Sequence, residues 1–176
     1  MKLLIIGKAR HGKDTVANDL AKRLGLTFKS SSMAALDIFL YDKLNELRRW
    51  SGLKPYQSKD EAFEDRVNHR ELWFNLIAEY NALDKARLAK DIMQEADIYV
   101  GMRNMDEFVA ARPIFDLVIW VDGERRLPDS ESIESMNIPM TEAGWIIDNN
   151  GDEDQLREDL DLLELFIRDT LIAPAK

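Results

Sequence analysis

Apolar positions near the start of the chain predict a buried strand followed by a helix. Residues 3–6 form the uninterrupted apolar run LLII, which is typical of a strand covered on both faces. Over residues 14–24 apolar side chains return at helical spacing, and Gly25 then supplies a helix-end signal. The apolar positions of this helix are Val16, Leu20 and Leu24.

The rest of the chain repeats this alternation of short apolar runs and amphipathic stretches. Further strands are predicted at 26–29, 97–101, 115–121 and 145–148, and further helices at 33–50, 60–81, 83–95, 105–111 and 152–171. The segments 51–59 and 123–139 read as connections, and we expect the second to be mobile. Strands that alternate with helices predict an α/β fold, in which a five-stranded parallel sheet is flanked by helices and binds ligands at the carboxyl ends of its strands.

Composition narrows the class of protein. The 176 residues suffice for one well-buried core, so we expect a single domain over 1–176. There is no cysteine, which suits a reducing compartment, and no apolar run approaches the length of a membrane span. We therefore expect a cytoplasmic protein. The net charge of −9 repels polyanions at long range, although a local basic cleft can still bind one.

The segment between the first strand and the first helix has the spacing G-x-x-x-x-G-K of a phosphate-binding loop. Two glycines let the backbone wrap around phosphate oxygens, the helix N-terminus adds partial positive charge, and the lysine reaches the β- and γ-phosphates. Asp14 follows the lysine and offers a carboxylate to Mg²⁺, with Thr15 as a second oxygen ligand. The predicted contacts to a nucleoside triphosphate are Gly7, Arg10, His11, Gly12, Lys13, Asp14 and Thr15.

With these residues the chain resembles the P-loop nucleotide kinases, most closely the phage-type deoxynucleoside monophosphate kinases. The resemblance runs through GKARHGKDTVA, SSMAA, YVGMRNMDEF, FDLVIWVD and WIIDNNGDEDQL. It implies the P-loop nucleotide-kinase fold, ATP and Mg²⁺ as cofactors, a helical acceptor-binding insertion at about 33–95, and a deoxynucleoside monophosphate as acceptor. The chain departs from this family at Gly101, two residues before Arg103, where related kinases often carry an acidic residue. That departure puts a conventional Walker B carboxylate in doubt, and Asp97 lies at the wrong end of the strand to replace it.

Arg103 follows the third predicted strand, where the fold delivers side chains to the active site. Phosphoryl transfer needs cations around the equatorial oxygens, so we assign Arg103 a catalytic role alongside Lys13. The alternative is an ordinary surface arginine. Arg112, at the end of the next short helix, is predicted to assist in substrate binding, and an ion pair with Asp106 or Glu107 is its alternative.

Arg66, Arg70 and Trp73 are the predicted acceptor-binding residues. On a continuous helix the two arginines lie four residues apart on one face, with Trp73 close to the same side. Guanidinium groups there can hold a phosphate while an aromatic ring stacks on a base. The alternative is a structural helix whose arginines pair with neighbouring carboxylates.

Three further residues are assigned conditional roles. Asp37 is a candidate general base if the acceptor is a hydroxyl group. Arg125 and Arg126 follow the fourth strand and either close over the nucleotide as a lid or form a solvated charge pair. His11 and His69 lack the spacing of a zinc site.

Two other functions remain open. One is a phage DNA-modification kinase that phosphorylates 5-hydroxymethyluracil in DNA, for which Trp73, Phe74 and Tyr80 would stack on an unstacked base. The other is an ATP-binding regulator without an acceptor, although the helical insertion favours a second substrate. The acidic surface favours a free mononucleotide over DNA. The expected partner is thus a nucleotide, with DNA under the alternative; a homodimer is allowed and a membrane is not expected.

Overall fold

The computed structural model describes residues 1–128 and 136–172. Its sheet has the order β2-β3-β1-β4-β5, and every neighbouring pair is parallel. The strands are β1 (Leu3–Ile6), β2 (Phe28–Ser30), β3 (Ile98–Val100), β4 (Leu117–Asp122) and β5 (Trp145–Asp148). The predicted five-stranded parallel sheet with flanking helices is therefore confirmed.

Helices connect the strands in the predicted alternation. They are α1 (Lys13–Leu24), α2 (Ser31–Ala35), α3 (Tyr41–Trp50), α4 (Lys59–Asp65), α5 (Arg70–Tyr80), α6 (Arg87–Glu95), α7 (Met105–Ala111) and α8 (Glu153–Ile167). A π-helical turn, Leu36–Leu40, joins α2 to α3. Five helices, α2 to α6, lie between β2 and β3, in the segment predicted to be a helical insertion.

The central strand β1 is buried along its whole length and divides two apolar clusters. Leu4 and Ile6 pack into the cluster formed with the helical insertion, whereas Leu3 and Ile5 pack against α1 and α8. This alternation follows from the pleat of a strand, whose successive side chains point to opposite faces. Covering both faces with helices explains why the strand is apolar at every position.

The predicted helix 60–81 is broken in the structure. A 3₁₀ turn, Arg66–Asn68, follows α4, and His69 has non-helical φ and ψ of −130° and 31°. The Asp65 carboxylate accepts hydrogen bonds from the Asn68 amide at 2.7 Å and from the Tyr56 hydroxyl at 2.6 Å. Such side-chain bonds compete with helix continuation, so α5 starts afresh at Arg70.

Two other predicted segments differ in extent. The helix predicted at 83–95 begins only at Arg87, because the Asp84 carboxylate accepts from the Ala86 N–H and holds a turn before it. Of the connection predicted to be mobile, residues 129–135 lie outside the described residues.

Among the described residues, no helix combines the length and apolar character needed to cross a bilayer.

Candidate active site

The loop between β1 and α1 has backbone angles that favour glycine at two of its positions. Gly7 and Gly12 have φ values of 142° and 92°, and Arg10 lies in the left-handed region at 64°. A Cβ at Gly7 would stand 2.5 Å from the Val121 carbonyl oxygen, and one at Gly12 would stand 2.2 Å from the Asn149 amide nitrogen. The two motif glycines are therefore required both by the backbone conformation and by the packing around it.

Lys13 begins α1 and folds back over the loop. Its ammonium group donates to the carbonyl oxygens of Gly7 at 2.8 Å and Lys8 at 2.6 Å, and the residue is only 8% exposed. Burial, followed by repulsion from Arg103, lowers the pKa of Lys13 to about 8, against the opposing attraction of Asp14. The loop thus holds a desolvated cation that a phosphate anion would stabilise.

The charges of three arginines act on one another and, through Arg103, on this lysine. Burial and the charges of Arg66 and Arg70 lower the pKa of the half-buried Arg103. Burial and the charge of Arg70 lower the pKa of Arg66, whereas Asp14 acts to raise it. We call Arg66, Arg70 and Arg103 the arginine cluster. Arg103 also acts on Lys13, so the charges of these four cations are coupled.

Aromatic packing supports one member of the arginine cluster. The Arg66 guanidinium lies 4.1 Å from the ring centre of Phe63 and 6.0 Å from that of Trp73. Trp73 is itself buried, at 3% exposed, and meets Phe63 edge-on. This burial corrects the prediction that Trp73 stacks on a base, because its ring contributes to the core beneath Arg66.

Asp14 and Thr15 are both exposed in the first turn of α1. The charge of Asp14 acts on both Lys13 and Arg66 and acts to raise the pKa of each. A carboxylate and a hydroxyl offer the hard oxygen donors that Mg²⁺ prefers. The side chains of Asp14 and Thr15 therefore fit the predicted Mg²⁺ site.

The His11 side chain is buried and bonds to the segment after β4. It is fully buried, its Nδ1 accepts the Gly123 N–H at 3.0 Å, and Nε2 lies 3.3 Å from the Leu127 carbonyl oxygen. Because Nδ1 is an acceptor, Nε2 carries the proton and donates to that carbonyl. His11 thus ties the loop to the end of β4, and only its backbone remains for the predicted nucleotide contact.

His11, Asp122 and Glu124 also place their ligand atoms within 4.8 Å of one another. These groups already have partners in the chain: Asn150 donates to the Asp122 carboxylate at 3.1 Å, and Lys8 pairs with Glu124 at 2.6 Å. We therefore interpret the cluster as a structural brace.

Sequence reasoning missed two asparagines that follow β5, of which one bonds to the loop and the other to the segment after β4. The Asn149 amide donates to the His11 carbonyl oxygen at 2.7 Å, and Asn149 is buried. The Asn150 side-chain oxygen accepts the backbone N–H groups of Arg125 at 2.8 Å and Arg126 at 3.3 Å. Two signals in the sequence could have found them: their place in the segment WIIDNNGDEDQL of the resemblance, and their position after a predicted strand, where loops at the carboxyl edge carry function.

An open cavity of 320 Å³ lies next to the loop on the β5 side. Arg126 lines it, whereas Arg125 pairs with Asp148 at 2.6 Å. The remaining lining residues are Arg10, Gly12, Thr15, Asn149, Gly151, Asp152, Glu153 and Leu156. Because the loop forms one wall, a nucleotide whose phosphates occupy the loop can extend its base into this space.

Two further predicted residues have partners of their own in the chain. The Arg112 guanidinium donates to the Phe115 carbonyl oxygen at 2.8 Å, just before β4 begins. That position is at the amino edge of the sheet, opposite the loop. The predicted role of Arg112 in substrate binding is therefore corrected. Its alternative, an ion pair with Asp106 or Glu107, is corrected as well, because the guanidinium bonds to the Phe115 carbonyl instead. Asp37 is exposed on the π-helical turn and pairs with Lys59 at 2.7 Å.

Comparison with known proteins agrees on the fold. A shikimate kinase from Bacteroides thetaiotaomicron superposes with a TM-score of 0.52 at 12% identity, covering 96% of this chain and 98% of its own. A shikimate kinase from Acinetobacter baumannii in complex with shikimate gives 0.51 at 13% identity, covering 97% and 94%. The chain shares the fold of these kinases. No protein-family model matches it, and no curated protein matches it either.

Proposed function

We propose that the protein is a phosphotransferase that moves the γ-phosphate of ATP, with Mg²⁺, to a deoxynucleoside monophosphate. The glycine loop and Lys13 supply the donor side of this proposal. The Lys13 ammonium now bonds two loop carbonyls, and phosphate oxygens of ATP would take over as its partners. Lys13 would then stabilise charge on the transferred group.

The arginine cluster is the observation that carries the acceptor side. Arg66 and Arg70 come from the helical insertion, yet their charges act on Arg103 beside the loop. Guanidinium groups whose charges act on one another together attract an anion. An acceptor with a phosphate group supplies that anion, and bidentate bonds from arginine orient it.

A phosphate acceptor also needs no general base. One of its oxygens attacks the γ-phosphorus, the bond from that phosphorus to the β,γ-bridging oxygen breaks, and ADP leaves with the electron pair. The attacking oxygen is already anionic near neutral pH. This agrees with Asp37, the predicted base for a hydroxyl acceptor, being paired with Lys59.

Mg²⁺ would be held by Asp14 and Thr15, and when bound it neutralises charge on the β- and γ-phosphates. Asp14 lies where its charge acts on both Lys13 and Arg66. The carboxylate therefore also balances part of the positive charge that surrounds the loop.

The DNA-modification alternative depends on aromatic rings that can receive a base. Trp73 is buried, and Tyr80 is covered because Phe39 stacks on its ring at 4.1 Å and the Arg87 guanidinium lies 4.0 Å from its centre. Phe74, at 45% exposed, is the member of the predicted set that stays open. We therefore favour the free mononucleotide.

The test incubates labelled ATP and Mg²⁺ with each deoxynucleoside monophosphate, with duplex DNA containing 5-hydroxymethyluracil, and with no acceptor. We expect ADP release that depends on a monophosphate. Lys13→Ala should lower turnover by about 10²-fold or more, as expected for loss of a preorganised donor. Label appearing only in DNA would favour the modification kinase, and acceptor-independent hydrolysis would favour the regulator.

Arg70→Ala separates the acceptor site from the ATP site. We expect KM for the monophosphate to rise about tenfold or more, with KM for ATP nearly unchanged, because a charge-assisted contact to the acceptor alone is lost. Arg49→Ala removes an exposed arginine from α3 and serves as the matched control. Equal effects of the two substitutions on the acceptor KM would contradict the assignment of the arginine cluster.

A further inference from the structure

The turn that ends α3 presents two large apolar side chains to solvent. Trp50 is 87% exposed and Leu53 is 55% exposed. Gly52 between them has a φ of 73°, and the Leu53 N–H donates to the Arg48 carbonyl oxygen at 2.8 Å. The Arg48 guanidinium in turn donates to the Lys54 carbonyl oxygen at 2.6 Å. Since such bonds close a helix end around a left-handed glycine, the backbone that carries both apolar side chains is fixed.

The same turn is basic, although the chain as a whole is acidic. Residues 47–56 contain two arginines, one lysine and no carboxylate, whereas the whole chain carries a net charge of −9. Arg48 lies 3.9 Å from Asp65, which leaves Lys54 and one further exposed arginine as the outward charges. We call Trp50, Leu53 and Lys54 the basic tip. Tryptophan is enriched among binding hot spots, and an exposed indole gains free energy when a partner covers it.

A second exposed apolar pair lies on the outer side of α8. Leu162 and Leu165 are each 58% exposed, although Leu160, Leu163 and Ile167 of the same helix are buried. Positions three apart lie on one face of a helix, so the two exposed leucines form one patch. The patch faces away from the core that the buried positions of α8 join.

The surroundings of this patch are strongly acidic. Residues 152–172 contain eight carboxylates and two arginines. Glu158 is exposed one turn before Leu162, and Asp169 is exposed in the π-helical turn that follows α8. Carboxylates therefore lie at both ends of the exposed leucines. We call Glu158, Leu162, Leu165 and Asp169 the acidic face.

The basic tip and the acidic face belong to opposite sides of the sheet. Helix α3, which ends in the tip, packs through Leu44 into the cluster that contains Leu4 and Ile6. Helix α8 packs into the other cluster, which contains Leu3 and Ile5. The two surfaces of one molecule therefore leave each other exposed. Between two molecules they are complementary, because both combine exposed apolar groups with charges of opposite sign.

We propose that the basic tip of one molecule docks on the acidic face of a second copy of this chain. Trp50 and Leu53 pack on the two exposed leucines of α8, and Lys54 lies next to the flanking carboxylates. The contact joins two different surfaces, so the rotation between copies decides whether they close into a ring or extend into a chain. Each side offers only two apolar anchors, which is typical of a small, transient interface. This association is independent of the proposed function.

The test uses two variants that each lack one half of the contact. Trp50→Ser removes the largest side chain of the basic tip, and the double substitution Leu162→Ser with Leu165→Ser removes the apolar part of the acidic face. The control Leu83→Ser removes a leucine that is 99% exposed elsewhere on the surface. Circular dichroism checks that each variant is folded. If the double variant does not fold, Leu162→Ser alone takes its place.

Sedimentation velocity measures the mean mass of each protein from micromolar to millimolar concentration. The parent and Leu83→Ser should increase in mass with concentration. Trp50→Ser and the double variant, each measured alone, should associate about tenfold more weakly or less. An equimolar mixture of these two variants should form a heterodimer and no larger species, because it contains one intact tip and one intact acidic face for each pair of chains.

The contribution of charge is tested at two exposed lysines. Lys54→Glu reverses the charge of the basic tip, whereas Lys85→Glu changes the net charge equally at a lysine outside both surfaces. We expect Lys54→Glu to weaken association at least threefold more than Lys85→Glu, because only the first places a carboxylate against the carboxylates of the acidic face.

Several results would overturn this docking. They are a parent that stays monomeric at every concentration, a tip or α8 variant that associates alone as strongly as the parent, and a mixture of the two that forms no heterodimer. Equal effects of Lys54→Glu and Lys85→Glu would contradict the charge complementarity. A monomeric parent that binds anionic lipid vesicles or single-stranded DNA, when Trp50→Ser does not, would assign the basic tip to that partner instead.

Discussion

The buried charge of Lys13 makes the stability of the ligand-free protein depend on pH. Its pKa falls from an ordinary 10.5 to about 8, chiefly through burial and secondly through repulsion by Arg103. Between these two values, the unfolded chain keeps a proton on this lysine that the folded chain has released. Because the unfolded state binds more protons there, stability contributed by this group rises with pH across the window.

The size of the effect follows from the same two values. A pKa difference of one corresponds to about 1.4 kcal/mol, so the fall from 10.5 to about 8 amounts to about 3 kcal/mol. Lys13 is only 8% exposed, and solvent therefore screens little of this penalty. Relative to Lys13→Met, the parent should gain about 3 kcal/mol of unfolding free energy from pH about 8 to about 10.5.

Urea unfolding followed by tryptophan fluorescence measures this difference, since the chain contains four tryptophans. Lys22→Met, on the exposed side of the same helix, controls for the removal of a lysine. Subtracting variant from parent at each pH cancels the groups that titrate in both. Saturating pyrophosphate should flatten the dependence, because a bound anion favours the charged lysine.

A parent-minus-variant difference that stays constant across this window would refute the reasoning. It would mean that the Lys13 ammonium is solvated and does not lie desolvated against the loop carbonyls. A difference that falls as pH rises would contradict the direction of the shift itself.

Two substitutions test the geometry around the sheet edges. Gly12→Ala should abolish ATP binding in calorimetry, because its Cβ would stand 2.2 Å from the Asn149 amide at a φ of 92°; measurable ATP affinity would show that the loop relaxes around the methyl group. Arg112→Ala should leave kcat and both KM values within about twofold and lower stability by about 1 kcal/mol, since its bond to the Phe115 carbonyl lies at the amino edge. A large rise in acceptor KM would instead restore the binding role first predicted for Arg112.

The sequence alone determined the features that depend on neighbouring residues. The phosphate loop is a contiguous segment, so the spacing of Gly7, Gly12 and Lys13 identifies it before any contact is known. Strands β1, β3 and β4 were equally visible, because a strand covered on both faces is apolar nearly throughout. Helix α7 and strand β5 occur with the bounds predicted for them.

Tertiary structure decided which side chains share the site. Arg66 and Arg70 were expected on one helix face, but the helix breaks between them at Arg66–Asn68. Their charges still act on a common residue, Arg103, which follows β3 in the chain. Sequence spacing alone does not fix that approach, which depends on how the helices pack.

The local sequence pattern likewise did not determine which side chains near the site are buried or how they are oriented. Trp73 occupies a helix position compatible with either core or surface, and packing placed it in the core. The partners of His11 and Asn149 lie more than a hundred residues away in the chain, so no local signal marks either bond. The sequence thus showed which kinds of side chain lie near the loop. The direction in which each side chain points, and the residue to which it bonds, were set only when distant strands came together at one edge of the sheet.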